Sequence, residues 1–552
     1  MWSWNFSSGD PRTAGRCEPV WYDRLMFAAL RYQALAAALA TAALVLVSGA
    51  HPRVNQSPVL ASAAEPQAAA DSVASEDDVR AQCGVCHAVP PPDVLPRNAW
   101  RESVARMMLI RDGLPEPVGP TGTAARMVPL SPEMQRVARY YLQNAPERLP
   151  PAAPWPDADG SGFTVHGYRP PAGAPPLPAI SHVRFLDLDG DGRLDVLATD
   201  MRQGLVLTAR WGRTRELTPA GHLKNPSHAE LFDFDGNGTK DLLVADLGSF
   251  QPANHTDGAV VWMRGLAAGK FAPLSLPGWP RVADVQPGDF NADGRADLAV
   301  AAFGWRTVGR LSVLENTTRD YARPSFAEHV VDPRSGSIHA IPVDINADGR
   351  LDIVGLIAQQ YETVVAYIST GPGFAFEPQT IYTAPHPNWG SSGIQLIDMD
   401  DDNDLDVLLT HGDTLDDHIL KPYHGILWLE NTGTYPFVAH RIADLPGVLR
   451  AQAGDLDGDG DLDVVACAFV SGTVEKPDAP GAPSLVWLER TAPGTFVKHT
   501  LERRPPRHAT LDLGDVDGDG DLDILVGSFL VEPQDVPWVE VWENKRKAPG
   551  AH

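Results

Sequence analysis

Positive charge and cysteine are both scarce in this chain. Its 552 residues include 45 lysines and arginines against 71 aspartates and glutamates, so the formal net charge is −26 at pH 7. Nucleic-acid binding depends on basic side chains that neutralise phosphates, and this balance argues against a nucleic-acid partner. Only four cysteines occur, so thiolate chemistry is restricted to a few positions.

The apolar stretch near the N-terminus is short for a membrane span. It runs from Ala34 to Val47, about 14 residues against the roughly 20 that a spanning helix needs. Such a length is typical of the hydrophobic region of an export signal. We therefore predict a signal and low-complexity leader over residues 1–63 and a periplasmic or cell-surface location. An uncleaved N-terminal membrane anchor is the alternative, and Met26 is an alternative start to Met1.

An acidic loop recurs seven times along the rest of the chain. In the first copy, which begins at Asp187, carboxylates occupy positions 1, 3, 5 and 9, and Gly192 occupies position 6. Oxygen ligands at alternate positions of a tight turn suit Ca²⁺, and the glycine permits the positive φ that the turn requires. Residue 12 is Ala198, where an EF-hand needs a bidentate glutamate. The pattern predicts a strand-flanked calcium loop.

The other copies keep these positions, with asparagine in place of one aspartate in three of them. The fifth copy has Asn403 where the others have glycine, a substitution that left-handed backbone geometry tolerates. Acidic hairpin turns without metal are the alternative interpretation. The predicted ligands, for up to seven Ca²⁺ ions, are Asp187, Asp189, Asp191 and Asp195; Asp233, Asp235, Asn237 and Asp241; Asp289, Asn291, Asp293 and Asp297; Asp344, Asn346, Asp348 and Asp352; Asp398, Asp400, Asp402 and Asp406; Asp455, Asp457, Asp459 and Asp463; and Asp515, Asp517, Asp519 and Asp523.

The spacing of the loops predicts a β-propeller. Their starts lie 46 to 60 residues apart, a period typical of propellers and solenoids, and each period holds four strand-like segments, as a propeller blade does. The last period ends two strands after its loop, and a segment that resembles a fourth strand, Gly162 to His166, precedes the first loop. We expect it to complete the last blade and close a seven-bladed ring over residues 162–545.

These repeats resemble the FG-GAP/VCBS family of calcium-loop propellers, which is related to integrin heads. The resemblance runs from about residue 160 to 545 and implies the propeller fold and Ca²⁺ binding. It is nearly silent on function, because such propellers serve adhesion, scaffolding and enzymes alike.

A haem-attachment motif precedes the repeats. Cys83-Gly-Val-Cys86-His87 has the C-x-x-C-H pattern of c-type haem, in which both thiols bond the porphyrin and the histidine ligates iron. A zinc site would need a second Cys/His pair nearby, and a thioredoxin-like pair would need a βαβ context. A disulfide between Cys83 and Cys86 is the structural alternative. The motif predicts one haem c, with His87 as an axial ligand.

The residues around the motif predict a small α-helical, cytochrome c-like domain over 76–149, joined to the propeller by a proline-rich linker at 150–161. Trp100, Val104 and Met107 have the spacing of one helix face. The run from Cys86 to Pro146 resembles the cytochrome-like N-terminus of bacterial VCBS-repeat proteins, which implies Met107 as the second axial ligand. Met127, just before the next predicted helix, is the alternative. A third interpretation is a five-coordinate iron, with the methionines of this segment in the core.

Histidines recur in the strands that enter the acidic loops. Five residues before the loop starts stand His182, His228 and His339, with Asp284 at the same position of the third repeat. Entering strands line the central channel of a propeller, so these side chains are expected to converge there. A substrate or second-metal site is one interpretation, and a water-filled polar channel is the other.

Three function classes stay open from the sequence. One is an exported electron-transfer protein whose haem exchanges electrons with a redox partner protein. In this class the propeller docks the partner or serves as a scaffold for the haem domain. Another is a haem-linked oxidoreductase with a substrate site in the channel, although the sequence lacks a signature for a quinone, flavin or nicotinamide cofactor. The third is an adhesion or carbohydrate-binding propeller. Whether the chain is an enzyme or only an electron carrier is therefore undecided by sequence.

Overall fold

The computed structural model describes residues 73–546, apart from 86, 115–117, 120–121, 124, 267–268, 416 and 471–481. The predicted leader over 1–63 and Cys86, the second cysteine of the predicted haem motif, lie outside the described residues. The chain divides into two units, Met1–Pro66 and Gln67–His552, and the described helices and strands all belong to the second. Among the described helices, none combines the length and the apolar character needed to cross a bilayer.

Seven antiparallel four-stranded sheets make up the described part of residues 163–544, and they form the blades of a β-propeller. The prediction of a mostly β, seven-bladed fold is therefore confirmed. The second strand of each blade is buried along its whole length, at all six of its residues. A strand covered on both faces reads as a continuous apolar run, which explains segments such as Asp463-Val-Val-Ala-Cys-Ala468.

The first four blades follow the chain in order, each strand pairing with the next. Blade 1 comprises β4 (Ile180–Leu186), β5 (Asp195–Asp200), β6 (Leu205–Ala209) and β7 (Thr218–His222); blade 2 comprises β8 (Pro226–Phe232), β9 (Asp241–Asp246), β10 (Gly258–Leu266) and β11 (Lys270–Trp279); blade 3 comprises β12 (Val282–Gly288), β13 (Asp297–Ala302), β14 (Arg310–Asn316) and β15 (Phe326–Asp332); and blade 4 comprises β16 (Ser337–Val343), β17 (Asp352–Ile357), β18 (Thr363–Ser369) and β19 (Phe376–Thr383).

The last three blades include the closure of the ring. Strand β3 (Phe163–Tyr168) pairs antiparallel with Val539–Asn544, so the predicted N-terminal strand completes the last blade and removes a free sheet edge. Blade 5 comprises β20 (Ser391–Ile397), β21 (Asp406–His411), β22 (Gly425–Glu430) and β23 (Val438–Asp444); blade 6 comprises β24 (Val448–Gly454), β25 (Asp463–Ala468), β26 (Pro483–Ala492) and β27 (Thr495–Arg503); and blade 7 comprises β28 (His508–Gly514), β29 (Asp523–Ser528), β30 (Val539–Asn544) and β3.

A helical segment precedes the ring. Its described elements are α1 (Glu76–Cys83), α2 (Trp100–Arg111) and α3 (Pro132–Asn144), with 3₁₀ turns at Pro92–Val94, Arg97–Ala99 and Ala125–Met127 and short strands β1 (Val118–Gly119) and β2 (Gly122–Thr123). Ser75 caps α1 through a reciprocal hydrogen-bond pair with Asp78, and Ser131, followed by Pro132 at the first helical position, caps α3.

The core of this segment lies between α2 and α3. Trp100 stacks on Tyr141 with ring centroids 3.8 Å apart, and Val104 packs in the same apolar cluster. Met108 is also buried in this cluster, whereas its neighbour Met107 is half-buried. A helix advances 100° per residue, so two adjacent residues differ in how far they face the core.

The proline-rich residues that follow lie against the propeller. Trp155 is buried in the core cluster of blades 5 and 6, and its indole Nε1 donates to the carbonyl oxygen of Asp444 at 3.1 Å. The guanidinium of Arg503 donates to the carbonyl oxygens of Trp155 and Pro156 at 2.6 and 2.9 Å. These contacts hold the connecting residues on the surface of the ring.

Candidate functional sites

Each acidic loop is folded around the carboxylate at its first position. In loop 1, Asp187 accepts hydrogen bonds from the backbone N–H groups of Gly190, Asp191 and Gly192 at 2.7, 3.1 and 2.8 Å. The bond from position 6 to the carboxylate at position 1 is present in all seven loops. Asn403 makes it in the fifth copy with φ 73°, as its left-handed tolerance predicted.

Position 4 of the loops is also left-handed, which the sequence pattern did not reveal. Glycine occupies it in four copies, but Ala292, Ala347 and Asp401 adopt φ of 57°, 55° and 66°. A side chain in this region costs about 1–2 kcal/mol. Positive φ at both position 4 and position 6 curls the loop so that alternate side chains point to one centre.

The carboxylates converge in several loops. Three acidic groups lie within 4.8 Å of one another in each of loops 1, 2, 5 and 6. Such a set of hard oxygen donors on a tight turn fits Ca²⁺. Basic side chains contact some of them, as Arg210 does with Asp189 and Asp195 at 2.6 and 2.5 Å.

The aspartate at position 9 of the acidic loops, besides being a predicted calcium ligand, has a structural role. In loop 2, Asp241 accepts from the backbone N–H of Phe234 at 3.1 Å, from the indole of Trp262 at 2.8 Å and from the N–H of Gly265 at 2.7 Å. It thereby ties the loop to the third strand. Equivalent bonds to the loop and to the third strand are made by Asp297, Asp352, Asp406, Asp463 and Asp523.

The channel histidines lie together on one side of the ring. His182 and His228 have ring centroids 4.2 Å apart, and the two carboxylate oxygens of Asp284 lie 3.0 Å from His228 Nδ1 and 3.5 Å from His339 Nδ1. Burial alone would raise the pKa of Asp284, but the charges and hydrogen bonds of the two histidines outweigh it and lower the pKa to about 2. Burial lowers the pKa of His182 and of His228.

Blades 5 to 7 line the opposite side of the channel differently. Gly393, Arg450 and Thr510 replace the histidines there, and Arg450 donates to the carbonyl oxygen of Ile394 at 2.9 Å. The three imidazoles and Asp284 therefore form an asymmetric group within an otherwise sevenfold scaffold.

The predicted haem-attachment motif begins at the end of α1. Cys83 is the last residue of that helix and is buried, which raises the pKa of its thiol. His87 Nδ1 lies 2.8 Å from the carbonyl oxygen of Ala88. A hydrogen bond there fixes the tautomer in which Nε2 is free to bind a metal. The donor set that the structure describes therefore fits an axial iron ligand.

The methionines of this segment differ in exposure. Met107 is half-buried, whereas Met127 is 77% exposed. Met108 and Met134 are buried in the helical core. Both candidate axial ligands therefore lie outside that core.

A group of buried polar and aromatic residues on blade 5 was missed by the sequence interpretation. Trp389 stacks between His411 and Tyr423, with centroid distances of 4.2 and 5.8 Å. Burial lowers the pKa of His386 to about 4. The Tyr423 hydroxyl lies 3.2 Å from the carbonyl oxygens of Val94 and Asn388, so it joins the helical segment to the ring. The density of histidine and aromatic residues between 386 and 424 was the available signal.

Comparison with known proteins supports the repeat assignment. Residues 187–244, 233–300 and 330–409 match the model of the FG-GAP-like repeat, so the chain carries FG-GAP-like repeats. No curated protein matches the chain.

Similar solved structures are distant. One is a lectin of Agrocybe aegerita, from work on specific recognition of non-reducing terminal N-acetylglucosamine; it is 18% identical, with a TM-score of 0.40 and coverage of 68% of this chain and 94% of that one. Another is BBS1N in complex with ARL6DN, 12% identical, with a TM-score of 0.42 and coverage of 68% and 95%. Function has to be argued from the residues of this chain.

Proposed function

We propose that the chain is an exported mono-haem c-type cytochrome fused to a calcium-stabilised propeller, and that it transfers electrons to or from a protein partner. The observation that carries this proposal is the C-x-x-C-H motif at 83–87 on a helix end, with the His87 Nδ1 bonded to a backbone oxygen. Bound haem would supply one-electron redox chemistry.

The residues of the helical segment have distinct roles in this proposal. Cys83 and Cys86 would hold the porphyrin covalently, and His87 would present Nε2 to the iron. Met107 would supply a second iron ligand, with Met127 as the alternative. The half-buried state of Met107 leaves its thioether outside the packed core, where a bound group can reach it.

The propeller has a scaffolding role. Ca²⁺ in the acidic loops neutralises carboxylates that otherwise repel one another, and extracellular Ca²⁺ concentrations suit such sites. The buried Trp155 and the Tyr423 hydroxyl attach the helical segment to the ring, so the propeller positions the haem for a docked partner.

A visible spectrum tests the haem. Protein made in a host that matures cytochromes c is expected to show a Soret band and sharp reduced α and β bands, and a Cys83→Ser variant is expected to lose covalent haem. The matched control is Cys467→Ser, which removes a buried thiol of blade 6. A colourless wild-type protein from such a host would refute the proposal.

The second candidate is a haem-linked oxidoreductase with its substrate in the channel. It is favoured by the approach of His228 and His339 to one carboxylate of Asp284, because grouped imidazoles and a carboxylate are suited to general acid–base work. Turnover with an artificial electron acceptor would support this second candidate if the His228→Ala variant loses the turnover and keeps the haem spectrum. Unchanged turnover in that variant would exclude the channel as the site.

A further inference from the structure

A small cavity opens between blades 4 and 5, on the face opposite the acidic loops. Its volume is about 80 Å³, room for roughly six water-sized positions. Its walls come from the connection between β17 and β18, the connection between β19 and β20, and the connection between β21 and β22. The acidic loops connect the first and second strands of each blade. In an antiparallel blade, the connections that line the cavity lie at the opposite end of the strands.

The walls of this cavity carry polar atoms that the protein leaves unsatisfied. Gln359 is 7% exposed, yet in the described chain neither its Oε1 nor its Nε2 has a hydrogen-bond partner. The same holds, among the described residues, for Asn388 Oδ1 and for Ser391 Oγ, whose side chain is also buried. Buried polar groups in native proteins are nearly always paired with protein, water or a ligand. The cavity is therefore built for an occupant that forms hydrogen bonds.

The mixture of donors and acceptors indicates the chemistry of the occupant. Whichever way its amide is turned, Gln359 presents one donor group and one acceptor. Asn388 Oδ1 adds an acceptor, and the Ser391 hydroxyl can donate and accept a hydrogen bond. A metal ion would satisfy only acceptors, and a phosphate or sulfate would satisfy only donors. We propose that this cavity binds an uncharged polyhydroxy compound, such as a small polyol or one edge of a sugar ring.

The charges at the cavity agree with an uncharged ligand. The ammonium group of Lys421 is buried and pairs with Asp417 at 2.8 Å; as a hydrogen-bond donor without a lone pair it matches a hydroxyl oxygen and not a metal ion. Glu362 and Asp413 add carboxylates to the walls, and together with Asp417 they repel an anion. The hydroxyl groups of an uncharged ligand can accept a hydrogen bond from the ammonium and donate hydrogen bonds to the carboxylates.

Backbone strain is concentrated at the same place. Gln359 and Glu362 have φ of 62° and 44°, a region that is strained for residues with a side chain and that clusters at ligand sites. The Glu362 carboxylate accepts from the backbone N–H of Ser391 at 2.8 Å. The strained turn thus fixes the Gln359 amide and the Ser391 hydroxyl on neighbouring walls.

The cavity also adjoins the contact with the helical segment. Asn388 lines the cavity, and its carbonyl oxygen lies 3.2 Å from the Tyr423 hydroxyl that also contacts Val94. This inference is independent of the haem, because it rests only on residues of blades 4 and 5.

Isothermal titration of the full-length mature protein tests the proposal with glycerol, erythritol, D-glucose and D-galactose as probes, up to about 50 mM because small probes bind weakly. At least one probe is expected to bind. Gln359→Gly is expected to weaken that binding at least tenfold while leaving the melting temperature equal or higher, since glycine relieves the positive φ. Ser391→Ala is also expected to weaken the binding of that probe.

Gln251→Ala, on an exposed connection of blade 2, is the matched control and is expected to leave binding unchanged. Three results would overturn the proposal. One is the absence of binding by all four probes, which would mean that the cavity holds water only. The others are binding that survives Gln359→Gly and a preference for phosphate or Mg²⁺ over the neutral probes.

Discussion

The two faces of the propeller are built on different principles. On one face the same acidic loop is repeated in every blade, with the same bond from position 6 to position 1. On the other face the connections differ in length and composition, and they carry the contact with the helical segment, the polar cavity and the buried aromatic group of blade 5. The repeated face maintains the ring, whereas the varied face offers specific sites.

The same division explains the channel. Its scaffold is sevenfold, but the imidazoles and Asp284 come only from blades 1 to 4. A repeated fold makes equivalent positions converge, and substitutions in single repeats then create a local site at little cost to the fold.

Removal of calcium is expected to have the largest effect, and it acts on the repeated face. A chelator should lower the melting temperature and the free energy of unfolding, since each loop saturated at 100 times its Kd contributes about 2.7 kcal/mol. Calorimetry with and without chelator measures this, together with the calcium content of the purified protein. Restored Ca²⁺ should restore the melting temperature. An unchanged melting temperature after complete calcium removal would contradict the loop assignment.

Glu502→Gln is the next largest perturbation, and it acts on the varied face where blades 6 and 7 meet. Glu502 is buried, lies 2.9 Å from His508 Nε2 and 3.2 Å from the Arg507 guanidinium. Burial would raise the pKa of Glu502, but these partners outweigh it and lower the pKa from 4.5 to about 2. The substitution removes one of the two buried carboxylates that contact the Arg507 guanidinium and leaves Glu540 as the other, and it should cost about 3 kcal/mol.

The pH dependence of this effect has a defined sign. Because the folded-state pKa of Glu502 is depressed, its stabilisation is complete above about pH 4.5 and is lost as the pH falls towards 2. Acid titrations of stability should therefore be shallower in Glu502→Gln than in the wild type over that range. The exposed Glu532→Gln is the control and should retain the wild-type slope. Equal slopes in all three proteins would exclude this ion-pair group as a source of acid sensitivity.

Much of the ring was predictable from sequence because its determinants are local and repeated. The loop pattern, the four-strand period and the displaced strand at Phe163 each lie within a short segment, and seven copies reinforce one another. The approach of His182 to His228 also followed from equivalent positions in neighbouring blades. Asp284 occupied the same position, but that it lies against two histidines depends on side-chain directions that the spacing does not give.

The cavity could not be predicted in this way. Gln359, Asn388 and Lys421 come from three connections that have no counterpart pattern in other blades, and their proximity arises only when blades 4 and 5 pack. Met107 and Met108 show a different limit, because two adjacent apolar residues leave the phase of a short helix ambiguous. Long-range packing decides both cases.

Tyr423→Phe should have a smaller effect, confined to the varied face. It removes the hydroxyl that contacts Val94 and Asn388, and a single such hydrogen bond contributes about 1 kcal/mol. Hydrogen exchange should become faster around residues 92–100 and stay unchanged in the acidic loops. Tyr435→Phe, at a partly exposed tyrosine of the same blade, is the control. Equal exchange in both variants would show that the hydroxyl does not hold the helical segment to the ring.

Ala292→Gly should have the smallest effect and should be stabilising. Ala292 lies at position 4 of loop 3 with φ 57°, where a Cβ costs about 1 kcal/mol that glycine avoids, offset in part by the greater entropy of glycine in the unfolded chain. A net gain of about 0.5 kcal/mol is expected in urea unfolding with saturating Ca²⁺. The control Ala296→Gly, next to β13 and outside the positive-φ region, should lose about 0.5–1 kcal/mol. If both substitutions destabilise equally, the left-handed turn is not under strain, and the tight curl of the repeated face would have to come from its carboxylate bonds alone.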